Sequence, residues 1–230
     1  MTGAASAAPV IAIVGAESTG KSTLAVALAE RIRNQTGLRC GVVGEYLREW
    51  CDREARTPRA VEQLAIARAQ QHRIEQARTS HDVVVADTTA LMIAVYSLLL
   101  FDDASLVPMA IDAQRGVAAT LLTALDLPWV ADGHQRDGPH VQAPVDHALR
   151  TLLAAHRLSW QVVGGQGTAR VDQALDAVSP LLATLAPAGA GLFTRLAARD
   201  AAMPRWQWVC EKCDVPECEH AALLQARRKT

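Results

Sequence analysis

The segment Gly15–Ser22 matches the pattern G-x-x-x-x-G-K-S/T in full, and it constrains this chain more than any other feature. Ahead of it, Val10–Val14 is apolar and, apart from Ala12, β-branched, which predicts a buried strand ending in a turn. Behind it, Lys21–Arg33 carries Leu24, Leu28 and Ile32 at helical spacing, with Glu30, Arg31 and Arg33 on the other side. Glycines let the backbone curl so that successive N–H groups face one anion, and a helix N-terminus adds positive potential. In that setting Lys21 is expected to reach the β- and γ-phosphates of ATP, and the Ser22 hydroxyl to ligate Mg²⁺. Gly15, Glu17, Ser18, Thr19, Gly20 and Thr23 complete the expected nucleotide-binding set.

Further strands are predicted at Cys40–Gly44, Asp82–Asp87, Thr120–Leu125 and Trp160–Val163. Helical patterns separate them, notably from Thr57-Pro58 towards Arg78, over Pro144–His156 and over Val171–Leu185. Apolar strands alternating with helices imply right-handed crossovers, hence an α/β fold with a parallel sheet of about five strands covered by helices on both faces. Pro187–Gly191 marks a break, so residues 9–186 read as one domain and 187–230 as a small Cys-rich C-terminal extension.

Composition narrows the partners. The chain has 230 residues, 50% hydrophobic and 20% charged, enough for a sizeable core. Lys and Arg total 23 against 24 Asp and Glu, which supplies no overall footprint for nucleic acid or anionic lipid. The apolar run Ala90–Phe101 is too short for a bilayer, and the chain up to Gly20 has no Lys or Arg for a signal peptide. A cytoplasmic protein acting on a small molecule is expected; oligomeric state is not legible.

A phosphate loop needs a metal-organising carboxylate at the end of a neighbouring strand, and Asp87 sits where such an acid is expected; it also suits a helix N-cap. Glu45 ends the second predicted strand and should reach the carboxyl edge of the sheet, either as a base for a substrate hydroxyl or as a solvated loop acid. The stretch Asp126–Pro139 mixes Arg136 with Gly, Pro and Asp and reads as a lid, whose closure would bring Arg136 onto a transferring phosphoryl group. Trp129 reads equally as core or as a platform for a flat base. Gly164–Gly167 is expected to bend the chain near the adenine.

Taken together, Gly15–Thr23, Gly44–Glu49, Gln70, Ala86–Thr88 and Pro128–Gly133 with Arg136 resemble the C-terminal ribosylnicotinamide kinase domain of NadR-type NAD-biosynthesis proteins. The resemblance spans about Pro9 to Leu185. It implies a P-loop kinase core with a lid, and ATP- and Mg²⁺-dependent phosphorylation of the 5′-hydroxyl of nicotinamide riboside, a step of NAD salvage. Lys21, Asp87, Glu45 and Arg136 would then be catalytic, with Asp87 and Glu45 competing for the roles of base and metal organiser. Glu45, Tyr46, Arg48, Asp126, Trp129 and Asp132 would bind the acceptor. Two departures stand out. Asp87-Thr88-Thr89 replaces the family's usual Asp-Thr-Asp, and the chain shows no adenylyltransferase or DNA-binding part. A kinase for another nucleoside, or a regulatory ATP-binding switch, remains the alternative.

The extension carries Cys210, Cys213, Cys218 and His220 within a turn-rich stretch. A C-x-x-C pair forms one edge of a tetrahedral zinc site, and Cys218 with His220 would close a structural one; reduced thiols or a redox pair are the alternative. Trp206, Trp208 and Arg227–Lys229 would permit a nucleic-acid contact, which the balanced charge argues against.

Overall fold

The computed structural model describes residues 7–130 and 138–185. Five strands, β1 (Val10–Val14), β2 (Cys40–Val43), β3 (Val83–Asp87), β4 (Ala119–Thr123) and β5 (Gln161–Val163), form one sheet in the order β2-β3-β1-β4-β5. Every pairing is parallel, with Ile13 opposite Asp87 and Val14 opposite Leu122. All the strands therefore end at the same edge. β1 is central, and the chain fills one side of it with β2 and β3 before crossing to β4 and β5. A crevice opens at such a reversal, and Gly15 enters it directly from β1. β1 and β3 are buried along their whole length, as residues covered on both faces must be.

The helices are α1 (Lys21–Thr36), α2 (Tyr46–Glu54), α3 (Ala60–Arg78), α4 (Ala90–Phe101), α5 (Val107–Arg115), α6 (Gln142–Ala155) and α7 (Gly167–Leu185). α1 and α7 cover one face, joined by an Arg31–Asp172 ion pair of 2.8 Å. On the other face Leu91, Met92 and Val95 of α4 pack with Ile111, Leu149 and Leu153, while its Ala90, Ile93 and Ala94 pack with Trp50, Ile66 and Ala67. This double-sided packing explains why Ala90–Val95 is apolar all round, whereas Leu99, Leu100 and Phe101 at the end of α4 are exposed. No helix among the described residues is long and apolar enough to cross a membrane.

Three local outcomes differ from the sequence pattern. α2 breaks what reads as a loop after Glu45, because Trp50 and Cys51 bury themselves against α3 and α4. α3 starts at Ala60 rather than at the Thr57-Pro58 pair, since Glu62 Oε2 accepts the Arg59 N–H at 2.7 Å and closes a competing cap. α7 runs through Pro180. The Asp176 carbonyl, which loses its usual amide donor there, accepts the Ser179 hydroxyl at 2.9 Å instead.

Candidate functional site

The loop between β1 and α1 takes its shape from backbone angles that few residues tolerate. Gly15 has φ 150°, and a Cβ there would lie 2.0 Å from Thr123 Oγ1, so only glycine passes beside β4. Ser18 (φ 57°) and Gly20 (φ 75°) turn the chain so that α1 begins at Lys21. Thr19 Oγ1 donates to the Ala16 carbonyl at 2.7 Å and shares a 2.7 Å hydrogen bond with Thr123 Oγ1. From outside, Ser18 Oγ exchanges hydrogen bonds with the Val130 backbone, and Gln142 Nε2 donates to the Glu17 carbonyl at 2.8 Å. The result is a cradle of about 150 Å³ lined by Ser18–Thr23 and Arg48.

Lys21 is 6% exposed, and its Nζ donates to the Ala16 carbonyl at 2.8 Å. Burial pushes its ammonium below the usual lysine value, while the Glu45 and Asp87 carboxylates pull the other way. These two acids therefore sit around the same cation, as their positions at adjacent strand ends require. Asp87 is 3% exposed, and its Oδ1 has no hydrogen-bond partner among the described residues. Glu45 accepts from Arg48 at 3.3 Å.

Beside the cradle lies a cleft of about 470 Å³, within the range of small-molecule sites. Glu17, Glu45, Arg48, Arg59 and Gln63 give it polar groups; Leu47, Pro58, Tyr96, Leu100 and Phe101 give it apolar walls. Ser18, Lys21 and Arg48 line both spaces, so the two meet at one cationic junction.

The remaining sequence candidates scatter. Tyr46 starts α2, but its ring faces the Arg73 guanidinium at 4.4 Å and does not line the cleft. Asp126 lies across the sheet edge, where it accepts from Arg170 at 2.7 Å and from the Gly165 amide. Trp129 is half-buried next to Val130, with its indole N–H unpartnered among the described residues. Asp132, Arg136, Cys210, Cys213, Cys218 and His220 lie outside the described residues.

The sequence pattern missed Arg170. It is 4% exposed, and it also donates to the Thr19 carbonyl at 2.8 Å and the Gly165 carbonyl at 2.9 Å, tying the cradle to the turn after β5. A signal existed, because Arg170 falls on the same stripe of α7 as the buried Ala174, Val178 and Leu182. The cleft walls gave no comparable signal: Leu47, Pro58, and Tyr96 with Phe101 come from three separate stretches that only the fold unites.

The donor set fits a Mg²⁺-nucleotide. A hard cation takes oxygen ligands and is commonly held by one or two protein groups plus phosphate oxygens, which the Ser22 hydroxyl and the orphaned Asp87 oxygen suit. Among the described residues there is no cluster of three or more His, Cys, Asp or Glu to hold a metal unaided.

No curated protein matches the chain. Among solved structures, it is similar to NadR protein in complex with NAD and AMP-PNP (19% identity, TM-score 0.60) and to NadR protein in complex with NR (19% identity, TM-score 0.61). Each alignment covers 75% of this chain but only 49% and 51% of those proteins, so the chain spans about half their length. At that identity the likeness establishes the P-loop kinase-like fold. Residues 10–170, strand β1 through the start of α7, match the AAA_28 family, described as an AAA domain, and the chain belongs to that family.

Proposed function

We propose that the chain is an ATP-dependent kinase that transfers a phosphoryl group to the 5′-hydroxyl of a small nucleoside, with nicotinamide riboside as the preferred acceptor in NAD salvage. The observation that carries this reading is the junction at Ser18, Lys21 and Arg48, where a phosphate-sized cradle opens into a nucleoside-sized cleft. The pairing of acids Glu17 and Glu45 with Tyr96 and Phe101 in that cleft favours a flat acceptor with positive character. NadR protein has been captured with NR and with AMP-PNP, and the shared fold supports the same chemistry here.

Roles follow from position. Backbone amides of Gly15–Thr23 bind the phosphates, and Lys21 neutralises charge that builds on the transferring group. Ser22 and Asp87 would hold Mg²⁺, which when bound neutralises the triphosphate. Glu45 faces the cleft and accepts the proton of the attacking hydroxyl, a task for which the more deeply buried Asp87 is less suited because it does not line that space. Arg48, at the junction, orients the acceptor against the phosphate. Arg136 closes from the 126–139 stretch as a lid. In the same proposal residues 9–186 form the kinase domain, and 187–230 an extension in which Cys210, Cys213, Cys218 and His220 hold a structural zinc.

ADP release from ATP and Mg²⁺, measured against a panel of nucleosides, tests the reading. Release that depends on nicotinamide riboside supports it; release dependent on another nucleoside reassigns the acceptor. ATP hydrolysis indifferent to every acceptor would replace the kinase with a regulatory switch.

A further inference from the structure

Gln70 lies in the middle of α3, 0% exposed, on the stripe that also buries Ile66, Ala67 and Ile74. Its Oε1 accepts the Tyr46 N–H at 2.8 Å, and its Nε2 donates to the carbonyls of Gly44 and Thr88, each at 3.3 Å. The amide can stand only this way round, since a flip would set its oxygen against two carbonyl oxygens. Gly44 and Tyr46 are the residues on either side of Glu45. Thr88 is the residue after Asp87. One side chain therefore grips the backbone around both acids that face Lys21.

Thr88 adds a reason for the grip. It has φ 71°, a conformation that a β-branched residue adopts only where its surroundings impose it. Its amide is held by the Ile13 carbonyl at 3.0 Å and its carbonyl by Gln70, while the residue is 1% exposed and its hydroxyl has no partner among the described residues. Without the Gln70 donor, the carbonyl side of this turn loses its hydrogen bond, leaving the Thr88 amide on Ile13 to hold the residue next to Asp87.

We infer that Gln70 is a positioning residue: a buried amide clasp that fixes the turn bearing Glu45 to the turn bearing Asp87. It touches neither nucleotide nor acceptor, and its consequence for catalysis rests on the kinase reading above. A buried glutamine that merely satisfied stray backbone groups would contribute to stability alone. A clasp also sets how well Asp87 meets the metal.

Two measurements separate these. Amide exchange on the unliganded protein reads the clasp: Gln70→Met is expected to speed exchange by roughly tenfold or more at Tyr46, whose N–H loses its acceptor, and at Thr88, whose N–H stays on the Ile13 carbonyl while its turn loses the donor on the carbonyl side, with core amides such as Ile11 unchanged. Titration with a non-hydrolysable ATP analogue, with and without Mg²⁺, reads the consequence: the gain in affinity from Mg²⁺ should shrink by roughly tenfold while the Mg²⁺-free affinity stays within about twofold. Unchanged exchange at either amide, or equal losses of affinity in both titrations, overturns the inference. If Gln70→Met does not fold, Gln70→Asn carries the test: it keeps the amide but is one methylene too short to reach Tyr46, Gly44 and Thr88 together, so exchange at Tyr46 and Thr88 should rise and the Mg²⁺ gain fall, and unchanged exchange at either amide is the contrary result. Should the unmutated protein gain nothing from Mg²⁺, the metal assignment in the kinase reading fails, and the exchange data alone decide whether the clasp exists.

Discussion

Replacing Arg170 with Met tests whether the phosphate cradle is tied to the far side of the sheet. The guanidinium has three partners: Asp126 at 2.7 Å, the Gly165 carbonyl at 2.9 Å and the Thr19 carbonyl at 2.8 Å. They are not of equal weight. Asp126 is 35% exposed on its side chain, so that ion pair is worth only about 1 kcal/mol after solvent screening. Gly165 is exposed, and water replaces its lost donor. Thr19 is 1% exposed, so its carbonyl is left buried and unpaired, at a cost of about 2 kcal/mol. Met fills most of the aliphatic volume, which leaves an expected loss of about 3 kcal/mol. Urea unfolding monitored by tryptophan fluorescence reads it. Because Thr19 belongs to the cradle, ATP affinity should fall as well. Arg170→Lys should recover less than half of the stability, since one ammonium cannot span a fork of three acceptors. A loss under about 1 kcal/mol with normal ATP binding would refute the tie.

The same residues set a pH window. Burial raises the Asp126 carboxyl, but the Arg170 hydrogen bond and the Gly165 amide lower it by more, so its folded pKa lies below the usual value. Stability from this group is present above about pH 4 and lost as pH falls through the folded value. The gap between the original chain and Arg170→Met should therefore narrow in acid, which acid-range melting curves would show. Gly15→Ala should abolish ATP binding and destabilise the fold by about 3 kcal/mol, through overlap with Thr123 Oγ1 and a φ unsuited to alanine. Adding Thr123→Ala removes the 2.0 Å clash but leaves Thr123 Cβ and N at 3.2 and 3.3 Å and deletes the Thr19 hydrogen bond, so measured against the Thr123→Ala single variant, Gly15→Ala should still cost stability; no residual cost would exclude backbone strain. Burial pushes both the Cys40 and Cys51 thiols up to about 11, so each should alkylate at pH 8 on the order of 100-fold more slowly in the native protein than after unfolding. Mass spectrometry after brief iodoacetamide treatment checks this, and rapid native labelling would contradict it. Protein purified under reducing conditions should carry stoichiometric zinc, lost on mutation of Cys210 or Cys213; metal-free protein would retire that site.

Much of the fold was legible because its strands are buried on both faces. Val10–Val14 and Val83–Asp87 announce themselves as continuous apolar runs, and Gly15–Ser22 has a pattern with one backbone solution. The positions of Asp87 and Glu45 follow from these, since parallel strands end at one edge. The cleft beside the cradle was not legible. It arises where α2, the turn before α3 and the end of α4 converge, and α2 is a helix of only 9 residues whose burial of Trp50 decides its conformation. Tyr46 looked like a ligand platform by type, yet tertiary packing gives its ring to Arg73. Arg170 and Gln70 are polar residues on buried stripes, a pattern that marks something held in place without naming what it holds.

Incubation of the protein with ATP, Mg²⁺ and nicotinamide riboside, followed by phosphorus NMR of the products, tests the kinase reading most directly. A 5′-monophosphate of the acceptor should form mole for mole with ADP, and Lys21→Ala should suppress both by on the order of 10²–10³-fold while leaving the protein folded. ADP accumulating without any phosphorylated acceptor, or full turnover by Lys21→Ala, would contradict it.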